Sequence, residues 1–448
     1  MNPIPVIAIF DVGKTNKKFF LFNEQYQIVL ERSAKFDETK DEDGFPCDDV
    51  EAIREWVNRG IKEVMNLQQF TVKAFNFSAY GASFVHIDAK GEPVTPLYNY
   101  LKPYPPELQQ KFYSDHGGET GFSVLTASPV LGNLNSGMQL YWLKNVKEVF
   151  YKRIHHSLHL PQYISYLVSG KKYSEITSIG CHTGLWDFTK NTYHDWVNTE
   201  VVDPKFPELF PSDQVIEVKL NGKMVKTGPG LHDSSSALIP YLAGFKEPFI
   251  LISTGTWCIS FNPFNEEPLT TKELKQDCLS YLTFQGKPVK ASRLFAGNEH
   301  EQEVKRLAKH FNVPVDEYKQ VVFVPAYFKK IKRTADAGTA FSQKVLTGFS
   351  NYAEAYHQLM YDIMLQQKAA TSLVLGKAKV TRIFVDGGFA QNPVYMYMLA
   401  AAFPGREVFA ASVSQASAIG AALAIHKHWN SQPLPGNLVE LKYYAVTK

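Results

Sequence analysis

The chain carries only four cysteines in 448 residues, Cys47, Cys181, Cys258 and Cys278. Their wide spacing excludes a CxxC metal or redox pair and fits reduced thiols in a cytosol. No stretch stays apolar for the roughly 18 residues a spanning helix needs. The opening MNPIPVIAIF lacks a basic n-region, so neither export nor a membrane span is encoded and the expected location is cytoplasmic. Charge of one sign is also scarce: 47 Lys and Arg face 44 Asp and Glu, a net charge of +3. A protein that binds nucleic acid by neutralising phosphates needs a larger excess, and no such partner is expected. There is no short repeat, no low-complexity tract and no GxSxG nucleophile elbow.

What is present reads as α/β, in a chain too long for one core and suited to two domains. VIAIF, KKFFLF and QIVLE run apolar or alternate, with Asn23 and Glu24 turning between the last two, which predicts an antiparallel meander. Asp48 and Asp49 then cap a helix whose Val50, Ile53, Trp56, Val57, Ile61 and Val64 fall on one face. A strand at 72–77 and a hairpin around Asp88–Gly91 complete a first lobe. Residues 103–229, richer in Pro, Gly, Trp and Tyr, read as an elaboration lining a substrate site, with helical patterns near 138–144 and 163–168. The pattern restarts near Gly244–Pro248, the expected hinge between domains 1–245 and 246–448. Strands at 249–253 and 257–261 follow, then a long helix near 352–375, a strand at 381–385, and helices near 393–402 and 416–428.

Two apolar strands run straight into a turn with Gly and Thr: VIAIFDVGKTNKKFFLF from Val6 and FILISTGTWCISF from Phe249. Glycine lets the backbone approach an anion, while Thr hydroxyls and free N–H groups supply donors. Recurrence half a chain apart reads as two similar lobes closing on one polyphosphate. Ala8–Thr15 (AIFDVGKT) nearly spells a Walker A loop, but that loop needs flexible residues before Gly-Lys-Thr and a helix after it. Here strands flank the turn on both sides. A β-turn-β hairpin would instead aim Asp11 into the cleft, where a carboxylate can hold Mg²⁺. Gly13, Lys14, Thr15, Asn16 and Lys17 would form the phosphate loop. Taken alone, the segment also suits an ordinary hairpin facing water.

These segments, together with two later ones, resemble the FGGY carbohydrate kinases of the actin/Hsp70/sugar-kinase superfamily. Asp11-Val-Gly-Lys-Thr-Asn-Lys-Lys18 is similar to the first phosphate segment, Ser253-Thr-Gly-Thr-Trp257 to the second, and Val385-Asp-Gly-Gly-Phe-Ala-Gln-Asn392 to the adenosine segment. Gln415-Ala-Ser-Ala-Ile-Gly-Ala-Ala422 resembles the helix after it. The resemblance implies a two-lobed actin-like (ribonuclease H-like) ATPase fold with mixed sheets and a central cleft, using ATP and Mg²⁺. It implies Thr254, Gly255 and Thr256 at the phosphates, Gly387 and Gly388 behind adenine and ribose, and Asn392 near the base. Read singly, such glycines are ordinary turns into helices.

Gly230-Leu-His-Asp-Ser-Ser-Ser-Ala237 resembles the family's Gly-His-Asp segment, whose Asp is the catalytic base. That assigns Asp233, with His232 beside it at the sugar. From the residues alone, Asp233 suits a helix cap equally well. Leu160-Pro-Gln-Tyr163 and Ser174-Glu-Ile-Thr-Ser178 look like rhamnulokinases and L-fuculokinases, which implies a small ketose as substrate. The sugar-pocket candidates are Tyr80, Gly81, Tyr98 and Asn99, in two stretches that depart from the family's Thr-Trp-Gly-Val-Asp and its charged sugar ligand. Lys14 for Thr and Gln415 for Glu are further departures. They keep open another ketose or a polyol, or a weakly catalytic sugar- or nucleotide-binding regulator, as a monomer or homodimer. A hydrolase on His232, Asp233 and the serines fails because adjacent residues at a helix start do not converge as a triad. His155, His156 and His159 lack the Glu of a zinc protease. Lys329–Arg333 reads as a solvated loop that could also close near nucleotide phosphates.

Overall fold

The computed structural model describes residues 2–334 and 340–445. Two seven-stranded mixed sheets organise it. The first holds β1 (Ile4–Val12), β2 (Lys17–Asn23), β3 (Ile28–Ala34), β4 (Phe70–Ala79), β5 (Ile216–Leu220), β6 (Lys223–Thr227) and β7 (Leu231–His232). Its order is β5-β6-β4-β1-β2-β3, with β7 also paired to β4. The second holds β8 (Phe249–Thr254), β9 (Cys258–Asn262), β10 (Cys278–Leu282), β11 (Pro288–Leu294), β12 (Arg382–Gly387), β13 (Glu407–Ser412) and β14 (Glu440–Tyr444), in the order β10-β11-β9-β8-β12-β13-β14. In each, the leading strand pairs antiparallel with the next and parallel with a later one: β1 with β2 and β4, β8 with β9 and β12. This doubled topology is the actin-like, ribonuclease H-like arrangement with mixed sheets.

Both leading strands are continuous apolar runs because both their faces are covered. Val6, Ala8 and Phe10 pack toward α1 (Val50–Asn66) and α2 (Leu160–Ser169). The alternate Ile7 and Ile9 join a cluster with α4 (Asp233–Gly244) and α8 (Ala416–Ala424), after α3 (Ile176–Ile179) in the chain. In β8, Phe249 and Leu251 reach that same cluster, whereas Ile250 and Ile252 face α5 (Ala296–Phe311), α6 (Tyr352–Val374) and α7 (Pro393–Ala402). The layers therefore run helices, sheet, the α4–α8 pair, sheet, helices. At the α4–α8 crossing a Cβ on Gly420 would lie 1.8 Å from the Ser236 carbonyl oxygen, so only glycine admits the approach. Nearby, Asn76 Nδ2 donates to the Ala421 carbonyl at 2.8 Å, tying β4 to α8.

The elaboration has its own aromatic core, where Phe112 meets Phe122, Tyr141 and Trp196 edge-on at centroid distances of 4.9–5.1 Å. It reaches the second sheet too, since Leu282 of β10 belongs to that core.

The hairpin around Asp88–Gly91 is short: Asp88 N donates to Glu92 O and Val94 N to His86 O at 2.9 Å, Ile87 bridges Pro93, and the strand Phe84–Ile87 pairs on with His156–His159. Three local expectations need correction. Asp49 alone caps α1, accepting from Glu51 and Ala52 amides, while Asp48 turns to two lysines. Lys329–Arg333 lies in a helix, Pro325–Thr334, because Ile331 is buried and Phe328 packs on the α5–α6–α7 core. The terminal helical stretch breaks at Ile425 into α8 and a short helix, His426–Trp429. Among the described residues no helix is long and apolar enough to cross a membrane.

Candidate functional site

The β1–β2 turn closes with the Gly13 N–H donating to Asn16 O at 2.9 Å, and Thr15 and Asn16 are exposed at its tip. The lysines beside them turn back. Lys14 Nζ lies 2.6 Å from Asp48 and 5.8 Å over the Tyr80 ring, and buried Lys17 donates to Asp48 at 3.2 Å and to Lys14 O at 2.9 Å. Neither ammonium is placed as a free phosphate ligand, a correction forced by the carboxylate beneath the turn. Burial works to raise Asp48, but hydrogen bonds from Lys14 and Tyr80 and the Lys17 charge overcome it and hold the carboxyl below its usual value. Lys18, one residue on, reaches across to Gln415 Oε1 at 3.0 Å.

Asp11, at the end of β1, accepts from Ser417 Oγ at 2.8 Å. Burial pushes its carboxyl up to about 6, opposed by the Ser417 hydrogen bond and reinforced by the charge of Asp233. Asp233 opens α4 directly after β7 and accepts from its own helix at Ser234 N, 2.6 Å. Burial raises it to about 6 against the Ser234 hydrogen bonds. A carboxyl poised there is ionised at neutral pH yet basic enough to take a proton. His232 Nε2 lies 3.4 Å from both Asp233 Oδ1 and Cys181 Sγ, and burial lowers the imidazole to about 4, so it is neutral. Gly81 makes room for that ring, since a Cβ there would sit 2.7 Å from it.

Asp233, Ser253, Asp386 and Ser417 line a cavity of about 240 Å³ floored by Leu238, Leu251 and Phe261. Tyr241 OH donates to Asp386 Oδ2 at 2.8 Å across it. A second cavity of about 460 Å³ is lined by Thr254, Gly255, Gly297, His300, Tyr318, Gly388 and Asn392. The two meet at the ends of β8 and β12, where Ser253 and Asp386 line one and Thr254 and Gly388 the other. Gly387 has φ +86° and a Cβ there would lie 2.0 Å from Thr254 O, so glycine is required for this strand pair to end together. Thr254 Oγ1 donates to Asp386 O at 2.6 Å and accepts from Phe389 N at 3.0 Å. Its hydroxyl thus joins the two segments, and exposed Gly255 and Thr256 form the tip. Asn392 caps α7 through Val394 and Tyr395 amides and donates to Tyr356 OH at 2.7 Å. Carbonyl oxygens of the Gly255 turn abut the α5 N-terminus: a Cβ on Gly297 would lie 1.8 Å from Gly255 O, and Asn298 N donates to Thr256 O at 3.2 Å.

Of the sugar-pocket candidates, Tyr80 is buried and donates to Asp48 at 2.6 Å. Tyr98 is 1% exposed, edge-on to Trp142 with its hydroxyl on Glu42, and has no face left for a ligand. Asn99 Oδ1 closes a local turn on Leu101 N. Tyr100, half-buried and edge-on to Tyr80, is the ring within reach of the Asp233 and Lys14 charges. The alternation Tyr98-Asn-Tyr100 was the available signal for it. Ser253, Asp386 and Ser417 lie inside the segments quoted above, where local pattern alone does not separate a cavity-lining polar group from a turn or helix-start residue.

Residues 6–239 match the N-terminal domain of the FGGY family of carbohydrate kinases, and residues 246–433 match the C-terminal domain of carbohydrate kinase FGGY. The chain is 24% identical over 282 residues to a rhamnulokinase of Oceanobacillus iheyensis, covering 59% of this chain and 57% of that one. It is 24% identical over 265 residues to a rhamnulokinase of Halalkalibacterium halodurans, covering 55% and 52%. The chain thus spans about half the length of the curated relatives it matches. Among solved structures, a carbohydrate kinase from Novosphingobium aromaticivorans aligns with a TM-score of 0.81 at 22% identity, over 99% of this chain and 95% of that one. A xylulose kinase from Rhodospirillum rubrum aligns with a TM-score of 0.81 at 14% identity, over 99% and 94%. At these identities the structures share the fold. With both domains matched in order along nearly the whole sequence, the chain belongs to the FGGY family of carbohydrate kinases.

Proposed function

We propose that the protein transfers the γ-phosphoryl group of ATP to a hydroxyl of a small sugar. The observation that carries this reading is Asp233, a carboxyl raised to about 6 at the wall of one cavity that opens onto a second at the ends of β8 and β12. Asp233 accepts the proton of the sugar hydroxyl as its oxygen attacks the γ-phosphorus. The bond from that phosphorus to the β,γ-bridging oxygen breaks and ADP leaves. The Thr254–Thr256 turn lies at the phosphates, and the larger cavity takes the nucleoside. The lobes 1–245 and 246–448 close about the 244–248 segment and exclude water, which limits ATP hydrolysis.

Mg²⁺ fits this site. Asp11 and Asp233 are hard oxygen donors whose mutual repulsion a cation would relieve. Among the described residues no cluster of three or more His, Cys, Asp and Glu is placed to hold a metal. Bound at this site, Mg²⁺ would neutralise charge on the transferring group.

The sugar we infer is a ketose, with a 6-deoxyketose such as L-rhamnulose or L-fuculose first, supported by the similarity to rhamnulokinases. Xylulose, ribulose or a polyol is the next choice. The test is ADP release with Mg-ATP over ketoses, aldoses and polyols, with Asp233→Ala alongside. Turnover on one sugar that falls about 10²–10⁴-fold in the variant, with ATP affinity retained, is expected. Equal turnover in the variant removes Asp233 from its role. Sugar binding without turnover on any substrate would favour a regulator, a reading that rests on Lys14 being engaged by Asp48.

A further inference from the structure

Behind the base lies a carboxylate that the reaction does not use. Glu175 is completely buried, and no lysine, arginine or histidine pairs with it among the described residues. Four donors surround it instead. Oε1 accepts from Thr177 N at 3.0 Å and from the Ser212 hydroxyl. Oε2 accepts from Thr177 Oγ1 at 2.6 Å and from Ser178 N at 3.2 Å. Burial pushes this carboxyl up while the Ser212, Thr177 and Ser178 hydrogen bonds pull it down, and capping the one-turn helix α3 does not require so buried a group, since an exposed Ser or Asp caps as well.

The hydrogen-bond directions explain what the carboxyl does. The His232 N–H can only donate, so the Thr177 oxygen accepts there, at 2.9 Å, and its single proton is directed to Glu175 Oε2. β7 is only Leu231 and His232, and β4 holds one of its edges. The His232 amide is held by Thr177, and the next residue is Asp233. The chain Glu175, Thr177, His232 N–H therefore sets where strand stops and α4 begins.

We propose that Glu175, acting through Thr177, is a positioning residue for Asp233; this rests on the kinase reading above. Glu175 leaves the Thr177 hydroxyl one orientation, and the Asp233 carboxyl is thereby held at a fixed place in the cleft. Near-attack geometry is sensitive to such placement, with about 10²-fold in rate riding on 1 Å.

The test compares wild type, Thr177→Val, Thr177→Ser, Glu175→Gln and Asp233→Ala for kcat, KM, ATP affinity, thermal midpoint and amide exchange at His232. Thr177→Val keeps the shape of the side chain and deletes the relay. Its kcat should fall about 10²-fold with ATP affinity unchanged and the His232 amide exchanging faster. Thr177→Ser should restore both to within a few-fold, and Glu175→Gln should behave like Thr177→Val. Wild-type kcat in Thr177→Val overturns the inference. So does loss of ATP binding and folding in Thr177→Val without rescue by Thr177→Ser. If wild type turns over no sugar, the kinase reading falls, and exchange at His232 still decides the relay: unchanged protection in Thr177→Val overturns it.

Discussion

Asp48 shows how one side chain reorganises a motif. It binds Lys14, the buried Lys17 and the Tyr80 hydroxyl together, so the first phosphate turn is anchored from below. Asp48→Ala should lower unfolding free energy by about 3 kcal/mol, because it strips a buried ammonium of its partner; urea unfolding measures it. Buried histidines contribute to the response to acid. His86, His159 and His182 are buried and held at about 3, against an ordinary 6.5, by desolvation. Their unfolded forms bind protons first, so the stability they permit is full above pH 6.5 and falls as pH drops below it. Asp11 and Asp233, raised to about 6, act in the opposite sense. The isolating comparison is therefore the change in urea midpoint between pH 7.5 and 5.5 for wild type and His159→Gln, and the histidine contribution should shrink in the variant. At this scale residue types were readable and directions were not. Lys14, Lys17 and Tyr98 carry the right chemistry for a ligand, but a neighbouring carboxylate or tryptophan takes each of them inward.

The contact between α4 and α8 is the element on which the cleft turns. Asp233 starts one helix, Ser417 lies in the first turn of the other, and Ser236 Oγ donates to Ser417 O at 2.7 Å where they cross. Gly420→Ala would drive a methyl into the Ser236 carbonyl. A loss of about 1–3 kcal/mol is expected from the overpacking, with a raised KM for ATP as the helices splay; thermal unfolding and steady-state kinetics check both. Elements with strong periodicity were recognisable beforehand: β1 and β2, β8 and β9, α1, α6 and α7. The P-loop reading of AIFDVGKT fails in the structure for the reason the pattern offered, a strand on each side of the turn. Lys329–Arg333 misled because charge outweighed Phe328 and Ile331, whose spacing is helical.

Across the molecule, the two sheets share a core. Ile7, Ile9, Phe20 and Phe22 of the first sheet and Leu251, Phe261 and Phe384 of the second are buried in one cluster with α4 and α8 between them. α8 comes from the second half of the sequence yet covers the first sheet. Residues 1–245 expressed alone should therefore expose that face and lack cooperative thermal unfolding, while the full chain unfolds in one transition. Calorimetry and dye binding of the two proteins decide this, and a cooperatively folded 1–245 fragment would refute it.

The doubled mixed α/β lobes, the family and the polar groups at the strand ends are legible in the chain alone. Apolar periodicity and Gly-Thr turns are local properties of the chain. Which lysines turn inward, that Trp142 and Glu42 engage Tyr98, and that Glu175 stands behind Asp233 depend on tertiary packing. Those outcomes depend on side chains far apart in sequence meeting in a buried space, where an uncompensated charge or a misplaced ring is costly.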